Sequence, residues 1–193
     1  MLKNRKIAIL IAVAVAAVAT LLGVQRSLSR LSRGVEDMFY SGIYIDNGKY
    51  MEPSINSHLE NSAESAMNLA TLLMDRPELV DKANALLAAR RSLNDAEGIK
   101  AKNAADDKMI NAFTDLLRAA RNTDLTAREI EAATQYQSTF TGAHKSIANS
   151  AYHDKASEYS SGMSFIARMI STILPVQAPQ KYAVQAVATI TFR

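Results

Sequence analysis

The chain has 193 residues, with no cysteine, no tryptophan and 22 Lys and Arg against 19 Asp and Glu, a formal charge of +3. That length holds one ordinary domain with a real core, and the absence of thiols excludes a disulfide framework, a thiolate metal site and an acylated lipoprotein. Three basic residues, Lys3, Arg5 and Lys6, stand in the first six positions, so the remaining 19 balance the 19 acids, and a neutral body argues against a phosphate-binding, nucleic-acid surface.

Behind the basic tail (residues 1–6), Ile7 to Val24 is apolar except for Thr20 and Gly23. Eighteen residues at helical rise span about 27 Å, close to the ~30 Å hydrocarbon core of a bilayer, with Lys3, Arg5 and Lys6 at one end and Arg26 at the other. The stretch is read as a single-pass transmembrane anchor contacting the lipid bilayer through residues 7–24. A cleaved secretory signal, cut near Ala17-Val18-Ala19, and a buried core helix are the alternatives. Cleavage is disfavoured because Leu21, Leu22 and Val24 would remain as an apolar new N-terminus. The flanking positive residues tie, three against Arg26, Arg30 and Arg33. The free amino group and the compact N-terminal cluster favour a cytoplasmic N-terminus and an extracytoplasmic body.

Residues 25–33 (QRSLSRLSR) form a juxtamembrane segment that places Leu28 and Leu31 three apart on one helical face, or else serves as a flexible stalk. Residues 34–174 are expected to form a helical bundle. Val35, Met38, Phe39, Ile43 and Tyr44 have helical spacing, and Asp46-Asn47-Gly48 ends that helix in a turn. Ile55, Leu59, Ala66, Leu69 and Leu73 mark a second helix, with Pro53 in its first turn. Asp75 is a candidate N-cap for a third, carrying Leu79, Val80, Ala83, Leu86, Leu87 and Leu93, kinking or thinning at Gly98, and resuming at Met109, Ile110, Phe113, Leu116 and Leu117. Thr126 with Glu129 has the form of a capping box opening a fourth helix. Its seam of Ile130, Ala133, Tyr136, Phe140, Ala143, Ile147 and Ala151 predicts a helix to about Met163. Phe165 to Leu174 is a short amphipathic segment stopped by Pro175. The tail, residues 175–193, is read as a lone strand or an extended arm packed on the bundle.

Chemistry is hard to find. His58, His144 and His153 are not spaced for zinc and are expected to face solvent. No Glu has a His three residues later, as a di-iron bundle requires. Glu36-Asp37 and Asp106-Asp107 are neighbours that point apart on a helix and are read as solvated faces. No Gly-rich phosphate loop or nucleophile elbow occurs. No catalytic, cofactor-binding or metal-ligating residue is nominated, and no cofactor is expected.

The order of features resembles the LemA family of bacterial membrane-anchored helical proteins. The resemblance rests on Val35-Glu36-Asp37-Met38-Phe39, on Ile147-Ala148-Asn149-Ser150-Ala151-Tyr152-His153-Asp154, and on Tyr159 and the Pro175-containing stretch leading to Lys181-Tyr182. It implies a transmembrane helix followed by an all-α, antiparallel long-helix bundle of four-helix type, with a short extended tail, in the cell envelope. The expected function is a non-enzymatic interaction or scaffold protein with an unknown protein partner, free to form homo-oligomers. The alternative is an extracytoplasmic small-molecule-sensing bundle, for which a pocket between helices would speak.

Overall fold

The computed structural model describes residues 2–45, 47–162 and 178–192. Among them the elements run α1 (Leu2–Ser41), β1 (Ile43–Ile45), β2 (Tyr50–Glu52), α2 (Ile55–Leu73), α3 (Val80–Asn94), α4 (Ile99–Ala120), α5 (Ala127–Ala148) and α6 (Tyr152–Gly162). The fold is an all-α helical bundle with a long apolar helix at its N-terminus. The chain divides into two compact units, one of Met1–Asp37 and Lys155–Pro179, the other of Met38–Asp154 and Gln180–Arg193. The segment expected to be amphipathic, Phe165 to Leu174, and Pro175 lie outside the described residues.

In the first unit, α1 continues as helix through Gln25 to Arg33, so this segment is no loose stalk. Leu28 is buried and Leu31 is exposed, which separates the two leucines expected to share a face. The Tyr159 hydroxyl donates to the Leu28 carbonyl at 3.1 Å, and burial pushes that phenol above its ordinary value. Within the apolar stretch, Thr20 Oγ1 donates to Ala16 O at 2.9 Å and so leaves no unsatisfied hydroxyl on the helix surface.

The second unit is built on α2, which packs on α3 and α5, with α3 against α4. At one end of α2 Arg76 grips Glu129, and at the other the Glu52 carboxylate accepts from Ala151 N at 3.0 Å, so α2 and α5 run antiparallel. The core positions Ile55, Leu59, Ala66, Leu69 and Leu73 of α2 are all buried, as are Met109, Ile110, Phe113, Leu116 and Leu117 of α4. Phe113 and Phe140 stack with ring centroids 3.9 Å apart and planes within 6°.

Several helix ends differ from expectation. The third helix does not kink at Gly98; it breaks there into α3 and α4, and Gly98, at φ +80°, stands at the N-cap in a conformation that costs a residue without Cβ little. Leu79, not Asp75, precedes α3, because two turns, Arg76 N to Leu73 O and Leu79 N to Arg76 O, bring the Leu79 side chain into the core. Pro53 lies one residue before the true N-cap, Ser54, whose hydroxyl accepts from Ser57 N. The fourth helix ends at Ala148 rather than near Met163. Glu52 and the Ser150 hydroxyl take the N–H groups of Ala151 and Tyr152, and His153 Nε2 bonds to Ile147 O at 2.8 Å, so side-chain partners replace the bonds a continuous helix would make. The hairpin is a small addition to a body read as helical from 34 to 174. Asn47 (φ +54°) and Gly48 (φ +83°) occupy the expected turn and pair Ile45 with Tyr50 and Tyr44 with Met51. Gly42, at φ +86°, precedes it, and a Cβ there would collide with the Glu52 carbonyl.

The capping box forms as expected. Glu129 N donates to Thr126 Oγ1 at 3.3 Å and Thr126 N to Glu129 Oε2 at 2.7 Å. Arg76 adds a two-pronged contact, Nε to Oε1 at 3.0 Å and Nη2 to Oε2 at 2.6 Å. The guanidinium first, then the Thr126 donors, hold the Glu129 carboxyl down to about 2, against an ordinary 4.5. A carboxyl depressed in the folded state stabilises above its unfolded value, and that contribution disappears as pH falls from about 4.5 toward 2. Melting temperature followed by circular dichroism between pH 6 and pH 2 is therefore expected to fall less steeply in Glu129→Gln than in the native protein, by roughly the contribution of one such titration.

Candidate functional site

Three features stand apart from ordinary packing. The first is α1 itself. Its most apolar 18-residue window has a mean hydropathy of 2.9 and no buried residue, so Ile7, Leu10, Val13, Val15 and Leu22 are exposed and none of the described residues covers them. A soluble core helix would be covered.

The second is the hairpin. Tyr44 is 68% exposed, Tyr50 55%, Met51 46% and Ile45 37%, while Ile43 next to them is buried and fixes the base. Cross-strand pairing sets Tyr44 beside Met51 and Ile45 beside Tyr50, so the tip shows rigid aromatic and thioether surface on both faces. Tyr and Met are the residue types enriched at the centres of protein interfaces. The sequence signal was present in Asn47-Gly48 between Ile43-Tyr44-Ile45 and Tyr50-Met51, the common signature of a hairpin, and had been absorbed into a helix end.

The third is a buried polar cluster where solvated faces had been expected. Asp106, His144 and Tyr182 are 2%, 3% and 4% exposed. His144 Nε2 lies 3.1 and 3.2 Å from the two Asp106 oxygens, His144 Nδ1 2.9 Å from Phe140 O, and Tyr182 donates to Asp106 Oδ2 at 2.6 Å. A carbonyl only accepts, so Nδ1 carries the proton that bonds Phe140 O, and Nε2 shares a second hydrogen bond with the Asp106 carboxyl group. Burial first, and then the Asp106 charge, push the Tyr182 phenol up, which keeps it a donor; the same two causes raise Asp107. Both nitrogens of His144 are occupied, leaving neither to accept a proton from a nucleophile. The cluster therefore anchors the tail. Tyr182 plugs into it, Tyr152 donates to Gln180 O at 2.6 Å, the Gln180 side chain caps Lys100 N at 2.8 Å, and the Gln137 amide spans both backbone groups of Ile190. The extended arm is thus found, and residues 178–192 form no strand.

Of the other histidines, His58 is half-buried, and desolvation outweighs the nearby Glu52 charge to lower it from its ordinary value. It lies in a polar groove of about 400 Å³ between α2 and α5, together with Asn61, Glu64, Asn68, Gln135 and Thr139. Among the described residues no three His, Asp or Glu side chains converge as a metal site would need. No protein-family model, no curated protein and no solved structure matches the chain.

Proposed function

We propose that the protein is a single-pass, membrane-anchored helical bundle of the cell envelope that works by contact with another protein and runs no reaction. The observation that carries this reading is α1, whose apolar half is wholly uncovered and continues without a break into a polar, helical segment. The exposed hairpin tip supplies a contact surface of suitable chemistry, and the likeness to the LemA family in Val35–Phe39 and Ile147–Asp154 agrees with the same place and fold. The body lies on the extracytoplasmic side in this reading. Ala14→Arg with Ala17→Arg tests it. Each arginine at mid-span costs about 2.5–3.5 kcal/mol of insertion. The native chain is expected to stay with membranes after alkaline carbonate washing and the double variant to appear in the aqueous fraction. Native chain released intact by the wash would sink the reading.

A second reading, a sensing bundle for a small polar molecule, is favoured by the groove between α2 and α5, whose volume lies within the range of ligand sites. A thermal shift on adding a metabolite, lost in Asn68→Leu, would support it over the first.

A further inference from the structure

Arg26, Arg30 and Arg33 follow the apolar stretch at intervals of four and three, which puts all three on one face of α1. All three are exposed, and no hydrogen bond or ion pair to a described residue engages them. At 1.5 Å per residue they stand about 3, 9 and 14 Å beyond Val24. The headgroup layer is about 5–8 Å deep on each side of the hydrocarbon core. Arg26 therefore lies inside it, Arg30 at its outer edge, and Arg33 within one Debye length (about 8 Å at physiological ionic strength) of the surface. Ser29 and Gln25 border the same depression on the helix and add short hydroxyl and amide donors. The next charge on this face, Asp37, falls one turn farther out, roughly 20 Å from Val24 and clear of the lipid.

Resting on the anchored reading above, we infer that this stripe is a binding site for the phosphate headgroups of anionic phospholipids in the leaflet that α1 leaves. Guanidinium forks match phosphate oxygens two at a time, so the stripe discriminates anionic lipid from zwitterionic lipid, whose own ammonium offsets its phosphate. Each basic side chain near an anionic surface is worth about fivefold in affinity, so the three together favour anionic lipid by up to ~100-fold at low salt.

The chain contains no tryptophan, so Leu22→Trp, at an exposed position near the end of the span, gives a single reporter. The full chain is reconstituted in phosphatidylcholine vesicles containing the same small mole fraction of either brominated phosphatidylglycerol or brominated phosphatidylcholine, and quenching is compared. The expected result is quenching severalfold stronger by the phosphatidylglycerol; that preference is weakened by high salt, abolished in Arg26→Gln/Arg30→Gln/Arg33→Gln, where both lipids quench alike, and reduced but not lost in the corresponding triple lysine variant. Equal quenching by both lipids overturns the site while leaving the anchor standing. A preference that survives the triple glutamine variant assigns the effect to other residues and also overturns it. Absence of quenching by either lipid removes the anchored reading, and the site with it. The glutamine variant is checked by circular dichroism for unchanged helicity, as expected for three exposed positions.

Discussion

Asp106→Ala is expected to cost the protein about 3–5 kcal/mol, among the largest losses available from any single side chain. Asp106 is the one acceptor shared by two buried donors, His144 Nε2 at 3.1 Å and the Tyr182 hydroxyl at 2.6 Å. Alanine leaves the imidazole Nε2 and the phenol facing a small void with no partner. Removing one partner of a buried hydrogen-bonded pair costs far more than the pair contributes, because the stranded group keeps its full desolvation penalty. The melting temperature should drop by about 10 °C in thermal denaturation of the intact chain. Asp106→Asn separates the causes. Its carbonyl still accepts from Tyr182 and its amide can donate to His144 Nε2, so the loss should be well under half that of alanine. Tyr182→Phe removes only the tail's bond and should cost about 1.5–3 kcal/mol, with faster proteolytic trimming of the C-terminal arm. Equal stability of Asp106→Ala and the native chain would show that the cluster holds nothing.

Phe140→Ala is the second large loss, again about 3–5 kcal/mol. The ring is fully buried, stacked on Phe113 at 3.9 Å and tilted against His144 at 4.5 Å, so its removal opens a cavity in the α4–α5 seam and loosens the imidazole that holds Asp106. The carbonyl of the same residue takes the His144 Nδ1 proton and remains available in alanine, so the damage is one of packing and not of hydrogen bonding. A double-mutant cycle with Phe113→Ala, read by urea denaturation, should give a coupling of about 0.5–1.5 kcal/mol for the aromatic pair. Additive losses would mean that the stack contributes area only.

These two sites illustrate where sequence periodicity stops. Spacing found the inward faces of α2 and α4 and the residue types at their cores, because a buried helical stripe must repeat every three or four positions whatever it packs against. It found the capping box at Thr126 and Glu129 because both partners lie within one turn. The outward-facing apolar helix was equally plain, since a run of eighteen residues broken only by Thr20 and Gly23 depends on no partner in the chain.

What periodicity missed was carried by contacts distant in sequence. His144 and Asp106 are 38 residues apart and Tyr182 another 38 beyond, so Asp106 and His144 read as solvated polar residues and Tyr182 as part of a tail, while packing buries all three together. The break at Asn149 was invisible in a seam that continues smoothly from Ile147 to Ala151, because the group that ends the helix, the Glu52 carboxylate, arrives from 99 residues away. The hairpin was hidden for the opposite reason: Ile43, Tyr44 and their neighbours fit a helical period as well as a strand, and only the positive φ at Gly42, Asn47 and Gly48 turns the chain back on itself. Local spacing thus determined the helices, their inward faces and the uncovered N-terminal span. Tertiary structure decided where α5 stops and which polar groups are buried, because those groups are satisfied by partners that arrive from distant parts of the chain.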